Sequence, residues 1–248
     1  MSPAAKKIRR KDLRQPDEFF TVTGEALDWA ERNRSAIVIG AVVVVALFLI
    51  GWGIRWYVDA REARAARDFY AASELFKREQ WDAARDSFKA INENLPSTEY
   101  GRLAPLYAGY AALRGDHAEE AAGFFRAFLG SNPSTDALKQ LAHLNLARAL
   151  EASSDLEGAR KELQAAVDID GPARSDAAFE LARAAEAGGD HDKALELYQK
   201  FLGDYPDSSE RDLARSRVLA LGGTPPAEPV PAAGASPLQF QVNGLGGE

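Results

Sequence analysis

The stretch "EQWDAARDSFKAINENLP", residues 79–96, carries a spacing that returns along the chain. Ala84 is followed four positions later by Phe88 and twelve positions later by Pro96. Residues four apart share one face of a helix. A small residue there lets a second helix cross closely, and a large one fills the gap beside it. Proline cannot continue the hydrogen-bond ladder, so it ends the segment.

Three more stretches follow the same grammar: "DHAEEAAGFFRAFLGSNP", "SDLEGARKELQAAVDIDGP" and "GDHDKALELYQKFLGDYP". Their small residues are Ala121, Ala159 and Ala194, and their large partners are Phe125, Leu163 and Tyr198. Pro133 and Pro206 keep the offset of twelve, whereas the third stretch has Gly171 there and Pro172 next. The four alanines lie 37, 38 and 35 residues apart. That period and the A-x3-F…P pattern match the tetratricopeptide repeat (TPR), a helix-turn-helix unit. An unrelated helical bundle is the plainer alternative.

Each unit then needs a helix A upstream, and Ala72, Gly109, Ala147 and Ala182 fall at its small crossing position. Helices A of such an array line a groove for peptides. The register makes Phe69, Phe76 and Lys77, Tyr110 and Arg114, Arg148 and Glu151, and Phe179 and Arg183 candidate groove residues. Mixed aromatic and arginine character suits protein capture. For Phe69 and Phe179, packing between helices is an equal alternative. The Asn/Lys set that clamps a terminal carboxylate in some TPR co-chaperones is absent, because the inner positions hold Tyr70, Tyr107, Asn145 and Glu180. After Pro206, "SSERDLARSRVLALGG" predicts a capping helix, with Ser208 or Ser209 at its start and Gly222 at its end.

Upstream of the repeats stands "SAIVIGAVVVVALFLIGWGI", Ser35–Ile54, twenty residues without a charge. A helix of that length rises about 30 Å, the thickness of a hydrocarbon core. Arg34 and Arg55 bound it, and Trp52, Trp56 and Tyr57 cluster at one end as interfacial anchors. A cleavable signal has a shorter apolar core nearer the N-terminus. No ionisable residue interrupts the run, which argues against a transport pathway. No Gly or Pro occurs between Ile54 and Gln80, so the span is expected to continue into the first repeat helix, roughly 65–70 Å in all. "KKIRRKDLR" precedes it, and the positive-inside rule places the N-terminus in the cytoplasm. Between the two, a short amphipathic helix is expected after Pro16.

The chain is therefore expected to be all-α: one transmembrane helix, a TPR-like solenoid of about four units, and a capping helix. Its segments are a basic cytoplasmic stretch (1–34), the span (35–54), the solenoid (55–221) and a disordered Pro/Gly/Ala-rich tail (222–248). "PLQFQVNG" in that tail has the alternation of a strand that adds to a sheet edge, although a tail without a role is the simpler reading.

Composition excludes several classes. Of 248 residues none is cysteine, which removes disulfides, thiol catalysis and lipid attachment through a thioether or thioester. Residues 35–248 carry 22 Lys/Arg and 31 Asp/Glu, and such an acidic body does not suit nucleic acid. His117 and His191 fall in corresponding turns of different units, too far apart to share a metal. His143 sits among apolar residues in the setting of a packed core histidine. "DIDG" is an incomplete calcium loop, and no nucleotide or metalloprotease motif occurs. No catalytic residue, cofactor, metal or small-molecule substrate is expected.

The stretch "LIGWGIRWYVDAREARAARDFYAAS" after a basic start, followed by TPR-like units, resembles the YfgM-type ancillary subunit of the Sec translocon. The likeness covers roughly residues 25–221 and is strongest across Gly51–Ala72. It implies a bacterial inner-membrane protein with a periplasmic TPR domain. That domain sits beside the translocon and, with periplasmic chaperones, helps receive secreted polypeptides. "FLGDYPDSSERDLARSRV" also resembles repeats of envelope-assembly TPR proteins. A scaffold for an envelope complex, or an adaptor that signals to a cytoplasmic regulator, are the alternative roles.

Overall fold

The structure is a computed structural model and describes residues 29–226. The expected amphipathic helix after Pro16 and most of the tail lie outside these residues. The described residues hold nine long helices and no strand. They are α1 (Arg34–Lys77), α2 (Trp81–Asn94), α3 (Glu99–Arg114), α4 (Ala118–Gly130), α5 (Asp136–Ala152), α6 (Leu156–Asp168), α7 (Arg174–Ala187), α8 (His191–Asp204) and α9 (Arg211–Ala220). The chain divides into two compact units, one ending at Arg61 and the other starting at Glu62.

In the first unit the apolar part of α1 is long and apolar enough to cross a membrane, and none of its most apolar window is buried. Ile37 to Val58 present their large side chains outward, Trp52, Trp56 and Tyr57 among them. Arg34 opens the helix and is exposed. Arg55 pairs with Asp59 at 3.3 Å, and the Arg61 guanidinium lies 5.8 Å from the Tyr57 ring centre.

The second unit is a TPR-like solenoid in which each helix from α2 onward packs on the next, and α3 also touches α5. Units are completed by α2, α4, α6 and α8, and α9 caps the last. The small residues are all buried at the crossings, Ala84, Ala121, Ala159 and Ala194 against Ala72, Gly109, Ala147 and Ala182. The large partners Phe88, Phe125, Leu163 and Tyr198 fill the core. Phe88 bridges two units, with ring centres 5.0 Å from Phe69 and 5.5 Å from Tyr107. Gly109 has to be glycine because a Cβ there would stand 2.7 Å from the Phe125 ring.

The turns inside the units repeat as strictly as the helices. Glu79, Asp116, Ser154 and Gly189 all have positive φ (58°, 61°, 67° and 80°), each five residues before its crossing alanine. The next residue in each turn donates its N–H five residues back: Gln80 to Leu75, His117 to Ala112, Asp155 to Leu150 and Asp190 to Ala185. This closure satisfies carbonyls that the helix end leaves open. Only the fourth turn uses glycine, which takes this conformation without strain. Ser154→Gly should therefore stabilise the solenoid by about 0.5–1 kcal/mol. Comparing thermal unfolding midpoints checks it.

Other caps follow the sequence. Thr98 accepts from Gly101 N–H at 3.0 Å, Asp155 from Gly158 at 2.9 Å and Asp190 from Lys193 at 3.2 Å. Both Glu62 carboxylate oxygens accept from Glu99 N–H, at 3.1 and 3.0 Å, so a residue of α1 caps α3. The capping helix corrects one expectation. It starts at Arg211 with Glu210 at the N-cap, and no serine side chain caps it. The Ser208 and Ser209 hydroxyls instead donate to the Glu210 carboxylate, which they hold below the usual carboxylate range.

Candidate protein-binding face

The first helices of the units align two columns of side chains, fourteen and eleven residues before the crossing alanine, all at least partly exposed except the buried Asn145. The first is Tyr70, Tyr107, Asn145 and Glu180, and the second is Ser73, Tyr110, Arg148 and Arg183. In the two N-terminal units this face is aromatic. Tyr70 is 66% exposed and Tyr107 37%. Tyr107 is held edge-on by Phe69 at 4.9 Å and by Tyr110 at 6.0 Å. Tyr110 in turn stands on Phe125 at 5.6 Å and takes a hydrogen bond from Asn145 Nδ2 at 3.2 Å. Arg148 reaches Asn145 Oδ1 at 3.4 Å and keeps an exposed guanidinium.

Burial pushes the Tyr110 phenol up to about 12, with Tyr107 adding to it and Arg148 opposing. The fold favours the neutral phenol. Its stabilising contribution is complete below the ordinary value near 10 and is lost as pH rises through about 12. Stability measured across that interval should fall less steeply in Tyr110→Phe than in the unaltered chain.

The two C-terminal units have a different surface. Arg183 sits between Glu151 at 2.7 Å and Glu180 at 2.5 Å. Burial works against its charge, but the hydrogen bonds to Glu151 and Glu180 outweigh it and raise its pKa. Glu186 accepts from the Tyr198 hydroxyl at 2.9 Å and pairs with Arg217 of α9 at 3.6 Å. Burial first, then Glu186, pushes Tyr198 up. These charges are engaged with neighbouring units and with the cap, and because two carboxylates share Arg183 this half of the face keeps a net charge of −1.

The sequence-derived candidates separate accordingly. Tyr110 and Arg148 share the aromatic half, and Glu151 and Arg183 form the paired half. Phe179 is 8% exposed and packs on Tyr198 and Phe201, so it belongs to the core and not to the groove surface. Leu106 and Leu144 occupy the same register position and are buried too. Phe76 is half-buried against Trp81 at 4.9 Å, and Lys77 pairs with Glu74 at 2.9 Å beside the Tyr70 ring. Arg114 lies at the turn edge, where Glu79, Trp81 and Asp116 line a shallow hollow with it. Leu141, 38% exposed on α5, was not among the candidates, although its register eighteen before Ala159 marks the same face. His143 is not a packed core histidine. Its Nδ1 lies 2.7 Å from Glu162 Oε2 at a partly exposed site. His117 pairs with Asp82 of the preceding unit at 2.9 Å.

A helical repeat with one continuous side-chain face is a protein–protein interaction scaffold. The chain belongs to the tetratricopeptide repeat-like domain family, whose model matches residues 28–176. A second tetratricopeptide repeat model matches residues 144–209. Among solved structures the chain is similar to the nearly identical TPR-like repeats of a candidate kinesin light chain from Podosopora anserina. Identity is 16%, the TM-score is 0.53, and the match covers 64% of this chain and 86% of that one. The MamA protein is similar at 18% identity and TM-score 0.51, again over 64% and 86%. These likenesses establish the fold. No functionally curated protein matches the chain.

Proposed function

We propose that the protein is a single-span bacterial inner-membrane protein whose TPR solenoid captures polypeptide outside the cytoplasm, as a docking or chaperone-like accessory at the protein-export machinery. The observation that carries this is that, among the described residues, neither the apolar helix nor the aromatic face is covered by another element. From Ile37 to Val58 the helix would expose sixteen large side chains to water if nothing enclosed it, and a bilayer is the solvent that suits it. Arg34 and Arg55 flank the hydrocarbon segment, with Trp52, Trp56 and Tyr57 at one interface.

The basic cluster Lys6–Arg14 gives a cytoplasmic N-terminus and a periplasmic solenoid. The match that begins at residue 28 takes in the apolar stretch together with the repeats. The domain boundaries follow: residues 1–34, 35–54, 55–221 and a tail. Resemblance across Gly51–Ala72 to the YfgM-type subunit supports translocon subunits, periplasmic chaperones and secreted chains as the partners. Tyr70, Tyr107 and Tyr110 suit the apolar side chains of such extended chains, whereas the charges of the Glu151–Arg183–Glu180 half are engaged with one another.

A photoreactive residue at position 107, compared with one at exposed Arg126 on α4, tests the reading in intact membranes. Position 107 is expected to label translocon subunits, chaperones or nascent secreted chains, and to do so less when secretion is blocked. Labelling of a single stoichiometric envelope complex, indifferent to secretion, would replace this role with a scaffold.

A further inference from the structure

Arg148 and Arg183 occupy the same register position in successive units, eleven residues before Ala159 and Ala194. At Arg183 the fold itself supplies two carboxylates. Glu180 stands three residues earlier on the same helix, at 2.5 Å, and Glu151 reaches across from the preceding unit, at 2.7 Å. Around Arg148 the corresponding places hold no acid. Asn145 takes the position of Glu180, and Leu113, eight residues before Ala121, takes that of Glu151. Arg148 therefore keeps an exposed guanidinium that donates to Asn145 Oδ1 at 3.4 Å. Among the described residues no carboxylate pairs with it.

The same amide joins this cation to the aromatic surface. Asn145 Nδ2 donates to the Tyr110 hydroxyl at 3.2 Å and to the Leu141 carbonyl at 2.6 Å, which fixes the side chain in place. Tyr107 stands edge-on to Tyr110 at 6.0 Å, and Leu141 exposes its side chain on the same helix as Arg148. The Arg148 charge is close enough to pull the Tyr110 phenol back toward its ordinary value. An apolar surface and an open cation thus stand one side chain apart.

Charge also sets the register of anything acidic that binds. One unit further along, Arg183 already holds two carboxylates, and a third would meet net negative charge. One unit earlier the two columns hold Tyr107 and Tyr110, which offer no cation. The columns continue on both sides of Arg148, so a bound chain passes over it and meets it with a side chain.

We propose that the face takes polypeptide segments carrying an Asp or Glu beside apolar residues, with the apolar side chains on Tyr107, Tyr110 and Leu141 and the carboxylate on Arg148. This rests on the polypeptide-capture reading and names the class of segment captured. In an extended segment, side chains two residues apart share one side and stand about 7 Å apart. An apolar residue and an acidic residue at that spacing reach both halves of the site. A guanidinium receives a carboxylate through two parallel hydrogen bonds, so shape as well as charge selects the acid.

Three fluorescent peptides test it. They share one extended, C-terminally amidated sequence with Leu and Phe at alternate positions, and the next alternate position is Glu, Gln or Lys. Amidation removes the chain end as a source of carboxylate. Each is titrated against the full chain in lipid nanodiscs, with empty nanodiscs as the background. The Glu peptide should bind about fivefold more tightly than the Gln peptide, and added salt should shrink the difference. Arg148→Glu should reverse the order and favour the Lys peptide, with the unfolding midpoint unchanged. Equal affinity for the Glu and Gln peptides would overturn the inference and leave capture standing. A preference for Glu that survives Arg148→Glu would overturn it as well, because the carboxylate would then sit elsewhere. Binding of none of the three would remove capture and the inference together.

Discussion

Phe125→Ala should lower the unfolding free energy by about 3–5 kcal/mol. Phe125 is fully buried, its ring touches Tyr110, and it lies over Gly109, whose missing side chain leaves no atom to fall into the gap. Truncation removes the ring's transfer free energy and leaves a cavity that the rigid helix crossing does not close. Typical domains hold only about 5–15 kcal/mol in all, so the loss is a large fraction. In a solenoid each unit is stabilised chiefly by its neighbours, so opening should begin at the second unit and spread to the adjoining ones. Urea unfolding followed by circular dichroism measures the loss, and hydrogen exchange locates it in α3–α5. Phe124→Ala, which trims a half-buried ring next door, serves as the mild control.

Gln140→Leu should cost about 2–4 kcal/mol, from a residue that no periodicity marks. Gln140 is fully buried on α5. Its Nε2 donates to the Ala166 and Ile169 carbonyls at 3.2 and 2.8 Å, and its Oε1 accepts from Ala173 N–H at 3.1 Å. One amide thus holds the connection between α6 and α7 in the one unit whose proline is displaced by a residue. Leucine fills the same space but leaves three backbone groups without partners, and water reaches the connection only in part. Faster tryptic cleavage after Arg174, together with a lower unfolding midpoint, is the expected outcome.

The contrast between these two residues explains what was legible in the sequence. Phe125 is announced by its place four residues after Ala121, because helix geometry forces the two onto one face. The four units, the crossing residues and the continuous helix from Arg34 follow from spacing and from the lack of breakers. Gln140 depends on where a loop arrives, and no helical period encodes that. The same holds for the Glu151–Arg183 pair, whose members lie 32 residues apart and meet only after units stack, although helical spacing alone already sets Glu180 beside Arg183. Phe179 shows the limit of register itself. Positions fourteen and fifteen before the crossing alanine differ by one residue, about 100° of rotation. That rotation sends Phe179 into the core, while Tyr70 and Tyr107 come to the surface.

The aromatic face is the part of the molecule on which polypeptide capture depends. Binding of an unfolded, fluorescently labelled secretory polypeptide to the full chain in nanodiscs measures it directly, with Tyr70→Asp and Arg148→Glu as surface variants that leave the core intact. Capture at this face predicts saturable binding to the unaltered chain and about tenfold or greater weakening in the double variant, with the same unfolding midpoint. Equal affinity in the two proteins would contradict it.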